Sequence, residues 1–576
     1  MRGVLALALV VALAPNADRD SAVRAQGRAD VILVNGRVLT VDRNDSVAEA
    51  VAVTAGRISA VGTTAQIKTM AGETTEVIDL RGRAVTPGLI DTHVHFSGAD
   101  ALFTVALGEA SVNSIEEVKK RVAAKVATLK PGEWVRGGGW DEGKYVERRY
   151  ITAADLDAVA PNNPVWLTHT TGHYGVGNTY ALKMAEVTAK TPDPPAGTID
   201  RDGQGAPTGV MKESAMALVS RLVPPLSRDQ QKQGILHIIR EFNREGMTGA
   251  KDPGIGQAKW DLYREIQGEG NLTVRVFALW SGARRLEDRA AVLARVEANP
   301  RRIGLADGML ISGGVKMYMD GSGGARTAWM YQDWNKDLNG IDTGNKGYPS
   351  TDPDAYRRIV TELHDAGVHV STHAIGDRAI DWVVDTYDQA LRAKPTRGLR
   401  HGIIHANTPT DRAIDTMARL QRDYDAGYPE ASAGFMWWIG DNYAANLGPQ
   451  RNVRLKPFQT FVKKGVQWGG GSDYSVTPFP ARYGIWASVA RETLNGTHGA
   501  RPFGTAEAVD VRTALRSYTA WAAARIFLDD RLGTIETGKD ADLAVWDRSP
   551  YEVSTAALKD LRCEMTFVRG RLVYRR

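Results

Sequence analysis

The chain has a single cysteine, Cys563, among 576 residues. An intramolecular disulfide is therefore impossible, and any metal ion would need His, Asp, Glu or Lys ligands rather than thiolates. Basic clusters are also missing. The 72 Lys and Arg residues nearly balance the 67 Asp and Glu residues, for a net charge of +5, with no run of the kind that forms a nucleic-acid-binding face. We expect no nucleic-acid partner.

Long hydrophobic runs are absent after the N-terminus. There, Arg2 precedes a short apolar run from Val4 to Ala14, and Ala22-Val23-Arg24-Ala25 resembles a cleavage site. This pattern predicts a signal peptide over residues 1–25, because the run is too short to span a bilayer comfortably. An uncleaved anchor is the alternative. We expect an exported protein, periplasmic or secreted, with no stable membrane insertion after cleavage.

Several sequence motifs of common enzyme classes are missing too. The chain has no Gly-x-Ser-x-Gly elbow, which disfavours a serine hydrolase of the α/β-hydrolase type. It has neither a P-loop nor a dinucleotide-binding fingerprint.

Strand-like segments lie at both ends of the chain, and strands alternate with helices between them. Residues 26–84 and 531–576 predict one small β-sandwich domain built from both termini. Residues 85–530 predict an α/β (β/α)₈ TIM barrel. About 150 residues separate the first predicted barrel strand from the next, at Met247, so an inserted lobe is expected over about residues 100–245.

A His-x-His pair follows the first predicted barrel strand, in Thr86-Pro87-Gly88-Leu89-Ile90-Asp91-Thr92-His93-Val94-His95. Residues two apart on a strand point to the same side, so His93 and His95 would aim both imidazoles into one space. Two neutral imidazoles in that arrangement form half of a metal site.

Lys316 lies on a strand whose alternation separates polar from apolar residues. Lys316, Tyr318 and Asp320 share one face, and the residues between them are apolar. In a barrel, Lys316 would point inward, where an amine is costly unless it is paired or chemically altered. Either Lys316 pairs with Asp320, or the neutral amine takes up carbon dioxide and becomes a carbamate.

Three further polar residues close predicted strands. His373 ends one apolar strand, His405 ends the next, and Asp473 follows Gly469-Gly470-Gly471. Each alone is more often a structural polar group. In order, however, the strand ends present His-x-His, Lys, His, His and Asp, all on the C-terminal face where barrel active sites form.

This ordered set resembles the amidohydrolase superfamily, and most closely the amidohydrolase 3 group of YtcJ-like proteins and N-substituted formamide deformylases. The residues that carry the resemblance are the Thr86–His95 segment, Lys316 with Asp320-Gly321-Ser322, Thr372–Ile380, His401 with His405, Gly471-Ser472-Asp473, Gly172-His173, Pro207-Thr208-Gly209-Val210 with Glu213, and Leu532–Leu543. The resemblance covers the chain from about residue 30 to its end. It departs from the group at Ile404, where an acidic residue is usual, and at Asn407, where Gln is usual.

The resemblance implies a binuclear hydrolase. Two metal ions would be bound, with Zn²⁺ as the expected metal. His93 and His95 would hold one ion, and His373 and His405 would hold the other. Carboxylated Lys316 would bridge them, and Asp473 would contact the first. The expected reaction is hydrolysis of a carbon–nitrogen bond (amide, formamide or N-acyl, not peptide) by a metal-activated hydroxide, with Asp473 as the acid and base.

Substrate contacts are expected from both the lobe and the barrel. His173 is the candidate for the substrate carbonyl or oxyanion, and a structural role in its loop is the alternative. Tyr318, Asp320, Trp140 and Trp437 are further candidates for binding a small-molecule substrate. The run from Phe435 to Ile439 would form a pocket wall near the seventh barrel strand. A homo-oligomer is also plausible.

Two other functions stay open. A metal-dependent lyase or decarboxylase could use the same ligands, and a catalytically inactive binding or regulatory homologue could retain the fold. The complete ligand set argues against the second, because binding alone would not need all six residues.

Overall fold

The computed structural model describes residues 28–301, 308–335, 344–496 and 503–576. The segment predicted to be a signal peptide lies outside these residues. Within them, no helix combines the length and apolar character needed to cross a bilayer.

Eight parallel strands form one sheet in which the order in space follows the order in the chain. The strands are Leu89–Asp91, Met247–Ile255, Arg275–Ser281, Leu310–Tyr318, Val370–Ala374, Gly402–His405, Tyr428–Ala431 and Gly469–Gly470. Thr92 closes the seam, because its backbone N–H donates to the Gly470 carbonyl at 2.9 Å and its hydroxyl donates to the same oxygen at 3.0 Å. The predicted α/β class and barrel are confirmed.

Helices surround this barrel and pack their apolar stripes on it. They are Arg228–Arg244, Gln257–Gly268, Arg289–Ala298, Pro353–Asp365, Asp377–Ala393, Asp411–Tyr424, Phe458–Lys464, Ala481–Ala490, Val511–Ser517 and Ala520–Arg525. Asp411–Tyr424 shows why such a segment is helical. Thr410 caps its start by accepting a hydrogen bond from Ala413 N at 3.0 Å, and Ile414, Met417 and Gln421 are buried at the spacing of one helix face.

Segments from near both ends of the described residues meet in a β region outside the barrel. One sheet orders Arg571–Arg575, Cys563–Val568, Leu543–Trp546, Ala84–Pro87, Arg37–Leu39 and Val47–Ala48; the other orders Arg57–Gly62, Ala50–Thr54, Val31–Val34 and Glu76–Asp79. Residues of both sheets, such as Val53 and Phe567, share one buried cluster. Leu543–Trp546 pairs antiparallel with Ala84–Pro87, the strand that leads directly into the barrel.

A lobe interrupts the barrel between its first two strands. Its sheet orders Gly197–Arg201, Pro207–Glu213, Tyr174–Gly177, Val165–His169, Val135–Trp140 and Val105–Ala106. Short helices cover it at Ala99–Phe103, Ile115–Val126, Ala153–Asp157, Thr179–Met184 and Ala217–Ser220. The lobe has apolar clusters of its own, which shows that it packs as a unit beside the barrel opening.

The seventh barrel strand is Tyr428–Ala431. The aromatic run expected near it follows this strand as the helix Gly434–Trp438. Tyr428–Ala431 contains Pro429 and Glu430, so it has no apolar run to mark it. Its neighbours in the barrel determine its conformation.

Candidate metal centre

Six sequence-predicted residues line one cavity of about 650 Å³ at the C-terminal face of the barrel: His93, His95, Lys316, His373, His405 and Asp473. The barrel explains the convergence, since parallel strands end on the same face and each residue stands at or just after a strand end. His173 and Tyr318 line the same cavity.

Asp473 lies at the centre of the histidines. Its Oδ1 is 3.2 Å from His93 Nε2 and 3.3 Å from His95 Nε2, and its Oδ2 is 3.8 Å from His405 Nε2. His93, His95 and Asp473 bring ligand atoms within 4.8 Å of one another. Asp473 adopts a φ of 56° and His405 a φ of 73°. Such left-handed backbone in non-glycine residues is strained, and it concentrates at functional sites.

Several buried polar atoms at this point have no hydrogen-bond partner. They include both ring nitrogens of His93, Nδ1 of His405 and Oδ1 of Asp473; the 3.2 Å approach of His93 Nε2 to Asp473 Oδ1 is a close contact without hydrogen-bond geometry. A buried nitrogen or oxygen without a hydrogen-bond partner destabilises a folded protein, unless a bound ion, water or ligand interacts with it. A divalent cation with nitrogen and oxygen ligands fits this donor set.

The protonation of the histidines favours metal binding. Burial lowers the pKa of His93 to about 3 and takes the pKa of His405 and His373 well below the ordinary value. All three are therefore neutral near pH 7 and can act as ligands without losing a proton.

His373 presents a different nitrogen from the others. Its Nε2 lies 2.8 Å from the Gly321 carbonyl, which fixes a proton there, and its Nδ1 lies 3.1 Å from His405 Nε2. The lone pair of His373 that faces the cavity is therefore on Nδ1. A backbone carbonyl that orients a ligand imidazole in this way is a common second layer of metal sites.

Lys316 is buried, and its Nζ lies 4.7 Å from the centroid of the Tyr318 ring. Burial lowers the pKa of this amine to about 7. The alternative of an ion pair with Asp320 does not match the structure. The Asp320 carboxylate instead accepts backbone N–H groups of Trp329, Ile375 and Gly376 at 2.8–3.0 Å, so it orders loops beside the cavity.

The inserted lobe contributes a His–Glu pair to the cavity. His173 and Glu213 stand opposite each other at the ends of two paired antiparallel strands, where Glu213 N donates to His173 O at 2.8 Å. Both Glu213 oxygens lie 3.1 Å from His173 Nδ1. Burial opposes protonation of His173, but Glu213 outweighs it and raises the pKa of the imidazole.

Sequence reasoning assigned no role to Glu213 or Arg284. Glu213 has a φ of 51°, and its Oε1 accepts from the Thr327 hydroxyl at 2.5 Å. The Arg284 guanidinium sits 4.4 Å from the Tyr318 ring centroid and lines the cavity. Only strand pairing shows that Glu213 faces His173, and Arg284 follows its strand in a segment with no distinguishing motif.

Three predicted substrate contacts do not line this cavity: Asp320, described above, and two tryptophans. Trp140 is fully buried in the lobe, and its Nε1 donates to Leu167 O at 3.0 Å. Trp437 packs against Trp438, Tyr483 and Trp486 rather than lining the cavity that holds the metal-ligand candidates. Both act as packing residues in this structure.

A second acidic group with a histidine, Asp141, Glu142 and His169, lies in the lobe. His169 Nδ1 accepts the backbone N–H of Thr171 at 3.1 Å, so its hydrogen is on Nε2. That Nε2 faces the Tyr174 hydroxyl at 2.7 Å and Glu142 at 3.2 Å. The imidazole thus has a protein partner at each nitrogen, whereas Oδ2 of Asp141 is buried without a hydrogen-bond partner.

Comparison with known proteins places these observations in context. The profile of the amidohydrolase family matches residues 76–574. The chain is 30% identical to the N-substituted formamide deformylase of Arthrobacter pascens over 95% of this chain and 98% of that protein. It is 27% identical to the putative amidohydrolase YtcJ of Bacillus subtilis over 91% of this chain and 96% of that one.

A solved structure has a similar fold. An uncharacterised metal-dependent hydrolase from Pyrococcus horikoshii aligns with a TM-score of 0.69 at 24% identity, covering 91% of this chain and 99% of its own. At that identity, the likeness concerns the fold.

Proposed function

Because the chain belongs to the amidohydrolase family, we propose that it is a metal-dependent hydrolase that cleaves a carbon–nitrogen bond of an amide, formamide or N-acyl compound. One observation carries the proposal. Buried atoms without a hydrogen-bond partner, Nε2 of His93 and Oδ1 of Asp473, converge in a cavity that the ring of His405 also lines, and a divalent cation would satisfy them together.

The residues divide between two metal positions. His93, His95 and Asp473 would hold one ion, and His373 through Nδ1 with His405 through Nε2 would hold the other. When bound, Zn²⁺ or a similar ion would activate water and polarise the substrate carbonyl. The lowered pKa of Lys316 leaves much of the amine neutral near pH 7. A neutral amine can take up carbon dioxide, so Lys316 is proposed to supply a bridging carbamate.

Asp473 is proposed to move the proton. Its carboxylate faces the cavity and is held by a strained backbone, so it does not need to reorganise during the reaction. It accepts the proton of the attacking water and passes it to the leaving nitrogen. An unprotonated amine is a poor leaving group, and the transfer therefore governs bond cleavage.

His173 is proposed to bind the substrate oxygen. Glu213 engages Nδ1, which leaves Nε2 for the cavity. The protonated imidazole can donate from Nε2 to the carbonyl oxygen as negative charge develops there.

A hydrolysis screen tests the proposal. Purified protein is analysed for bound metal, reloaded with Zn²⁺, and assayed against amides, formamides, N-acyl amino acids and lactones, with Asp473→Asn as the matched control. We expect bound metal, and turnover of at least one amide-type compound that the variant lacks. Protein without metal, and without activity after reloading, would support a binding homologue.

Isotope labelling separates hydrolysis from lyase or decarboxylase chemistry. In ¹⁸O-labelled water, hydrolysis places one solvent oxygen in the product acid. Product without label would contradict the proposed reaction while leaving the metal site intact.

Export remains a proposal based on the N-terminal sequence. Cell fractionation, with N-terminal sequencing of the mature chain, tests it. Intact chain in the cytoplasm would contradict it.

A further inference from the structure

A second cavity adjoins the candidate metal centre on the other side of His95. Its volume is about 880 Å³, larger than the cavity of about 650 Å³ that holds the metal-ligand candidates. His95, Thr171 and Gly172 line both spaces. His95 is also more accessible than His93, because the side chain of His95 is 47% exposed and that of His93 is only 1% exposed. A molecule held at His95 can therefore extend into the second cavity.

One wall of the second cavity is a face of the lobe sheet, where Gly138 lies between larger lining residues such as Arg136 and Trp166. Gly138 and Thr168 are partners in register on parallel strands, so their side-chain positions point the same way. Both residues line the cavity. A Cβ on Gly138 would meet Thr168 O at 3.4 Å and Thr168 Cβ at 3.8 Å, which is ordinary contact. The backbone here tolerates a side chain, and the glycine leaves that space free.

Another wall is aromatic. Trp438 stands at the end of the helix that follows the seventh barrel strand, and Tyr474, Phe479 and Tyr483 come from the segment after Asp473. Phe479 stacks on Phe242 at 4.9 Å and receives the edge of Tyr474 at 5.4 Å. These rings are fixed by their own packing, so they offer a preformed apolar surface.

The charged groups of the cavity are balanced by their neighbours. Glu245 pairs with Arg482 at 2.8 Å, Glu109 with Arg121 at 2.9 Å and Glu241 with Arg244 at 3.6 Å. Burial raises the pKa of Asp100, and Arg136 opposes this shift; Nη1 of Arg136 also donates to a backbone carbonyl at 2.5 Å. Neither positive nor negative charge is therefore in excess, and the cavity suits an uncharged substituent of the substrate.

Resting on the proposed amide hydrolysis, we propose that this second cavity binds the remote part of the substrate, and that this part is a bulky, uncharged aromatic or branched apolar substituent of the amide. The volume falls within the range of sites for drug-sized ligands, about 300–1,000 Å³. Reaction takes place on one side of His95, and substrate selection takes place on the other.

Filling the cavity tests the proposal. Gly138→Leu places a side chain in the free space, and Gly268→Leu is the control, because Gly268 ends a helix with open space around its Cβ position. The probes are N-methylformamide, N-(2-naphthylmethyl)formamide and an analogue of the second with an added aminomethyl group. Zn²⁺-loaded enzyme is assayed for kcat/KM.

We expect the wild type to prefer the neutral naphthyl compound over the other two. Gly138→Leu should lower the naphthyl-to-methyl ratio of kcat/KM about tenfold to a hundredfold, as loss of one buried apolar group implies, and Gly268→Leu should leave that ratio unchanged. Equal losses for both compounds would overturn the proposal, because the cavity would then be a general access route. An unchanged ratio, or preference for the aminomethyl compound, would also overturn it.

Binding measured by calorimetry distinguishes failure of the cavity proposal from failure of the proposed amide hydrolysis. If the wild type hydrolyses no formamide, the reaction class is in question, but binding of the naphthyl compound that Gly138→Leu weakens still supports the cavity assignment. No binding to the wild type would overturn it. If Gly138→Leu fails to fold, Trp438→Ala replaces it. We expect Trp438→Ala to weaken naphthyl binding, and unchanged binding would contradict the proposal.

Discussion

Both carboxylate oxygens of Glu213 lie 3.1 Å from Nδ1 of His173. The contact joins two strands of the inserted lobe at the rim of a cavity whose other polar groups come mostly from the barrel. The lobe therefore supplies polar side chains to this cavity and does not only pack beside the barrel. His173 is oriented by Glu213, which belongs to a motif of the sequence but had no role assigned from the sequence.

Glu213→Gln tests this orientation. The substitution keeps the size of the side chain and removes the charge that holds the imidazole. We expect kcat to fall about tenfold to a hundredfold, the usual cost of losing a group that orients a site histidine, with a melting temperature close to that of the wild type. Steady-state kinetics and thermal unfolding measure the two effects. Wild-type kcat would show that Glu213 only stabilises the lobe.

Asp473→Asn tests the proton shuttle. The amide retains an oxygen for the metal but cannot accept and return a proton. We predict bound metal close to the wild-type amount and a loss of kcat of about 10²- to 10⁴-fold, the range for general acid–base catalysis. Elemental analysis and single-turnover kinetics give the two quantities. Unchanged turnover would remove Asp473 as the base.

Lys316→Ala tests the carbamate. Without the amine, no bridging ligand can form, so we expect the variant to lose a metal ion and most activity. A short carboxylic acid such as acetate, added in excess, should restore part of both, whereas Lys316→Arg should not respond. Metal content with and without acetate is the measurement. Two ions bound normally to Lys316→Ala would disprove the bridge.

A buried ion pair inside the barrel predicts a stability effect. Lys251 Nζ lies 2.5 Å from Glu430 Oε1, and both side chains are at most 1% exposed. Glu430→Leu would leave the Lys251 ammonium without its counter-charge, which costs about 3–5 kcal/mol in unfolding free energy. The double variant with Lys251→Met should recover most of this loss, because no charge then remains buried.

An exposed pair provides the control for this cycle. Lys464 and Asp415 lie 2.7 Å apart with side chains 47% and 56% exposed, and removing Asp415 should cost less than about 1 kcal/mol. Urea unfolding of all variants gives the comparison. A loss for Glu430→Leu no larger than for the exposed pair would show that water reaches Lys251.

The metal-ligand candidates could be predicted from the sequence because each one marks a strand end. Apolar runs located the strands that carry Lys316, His373 and His405, and parallel order then required their ends to meet. The position of each ligand candidate therefore follows from the sequence around it, through the alternation of side chains along a strand and the parallel direction of the strands.

Other features depend on pairing that local sequence does not encode. Tyr428–Ala431 is a strand because Gly402–His405 and Gly469–Gly470 pair with it on either side. Trp437 and Trp140 were predicted to contact substrate, but large aromatic side chains occur both in pockets and in cores. Only their packing in the structure distinguishes the two. Lys251 and Glu430 are 179 positions apart, so no short pattern connects them.

The pairing of Leu543–Trp546 with Ala84–Pro87 has a consequence for how the chain is made. These partners are more than 450 residues apart, and a ribosome adding about 5–20 residues per second needs tens of seconds to cover that distance. Throughout that time, the strand that leads to His93 has an open edge. The sheet that leads into the barrel can therefore be completed only after Leu543–Trp546 has been made, and a stop before this strand would leave that edge of Ala84–Pro87 open.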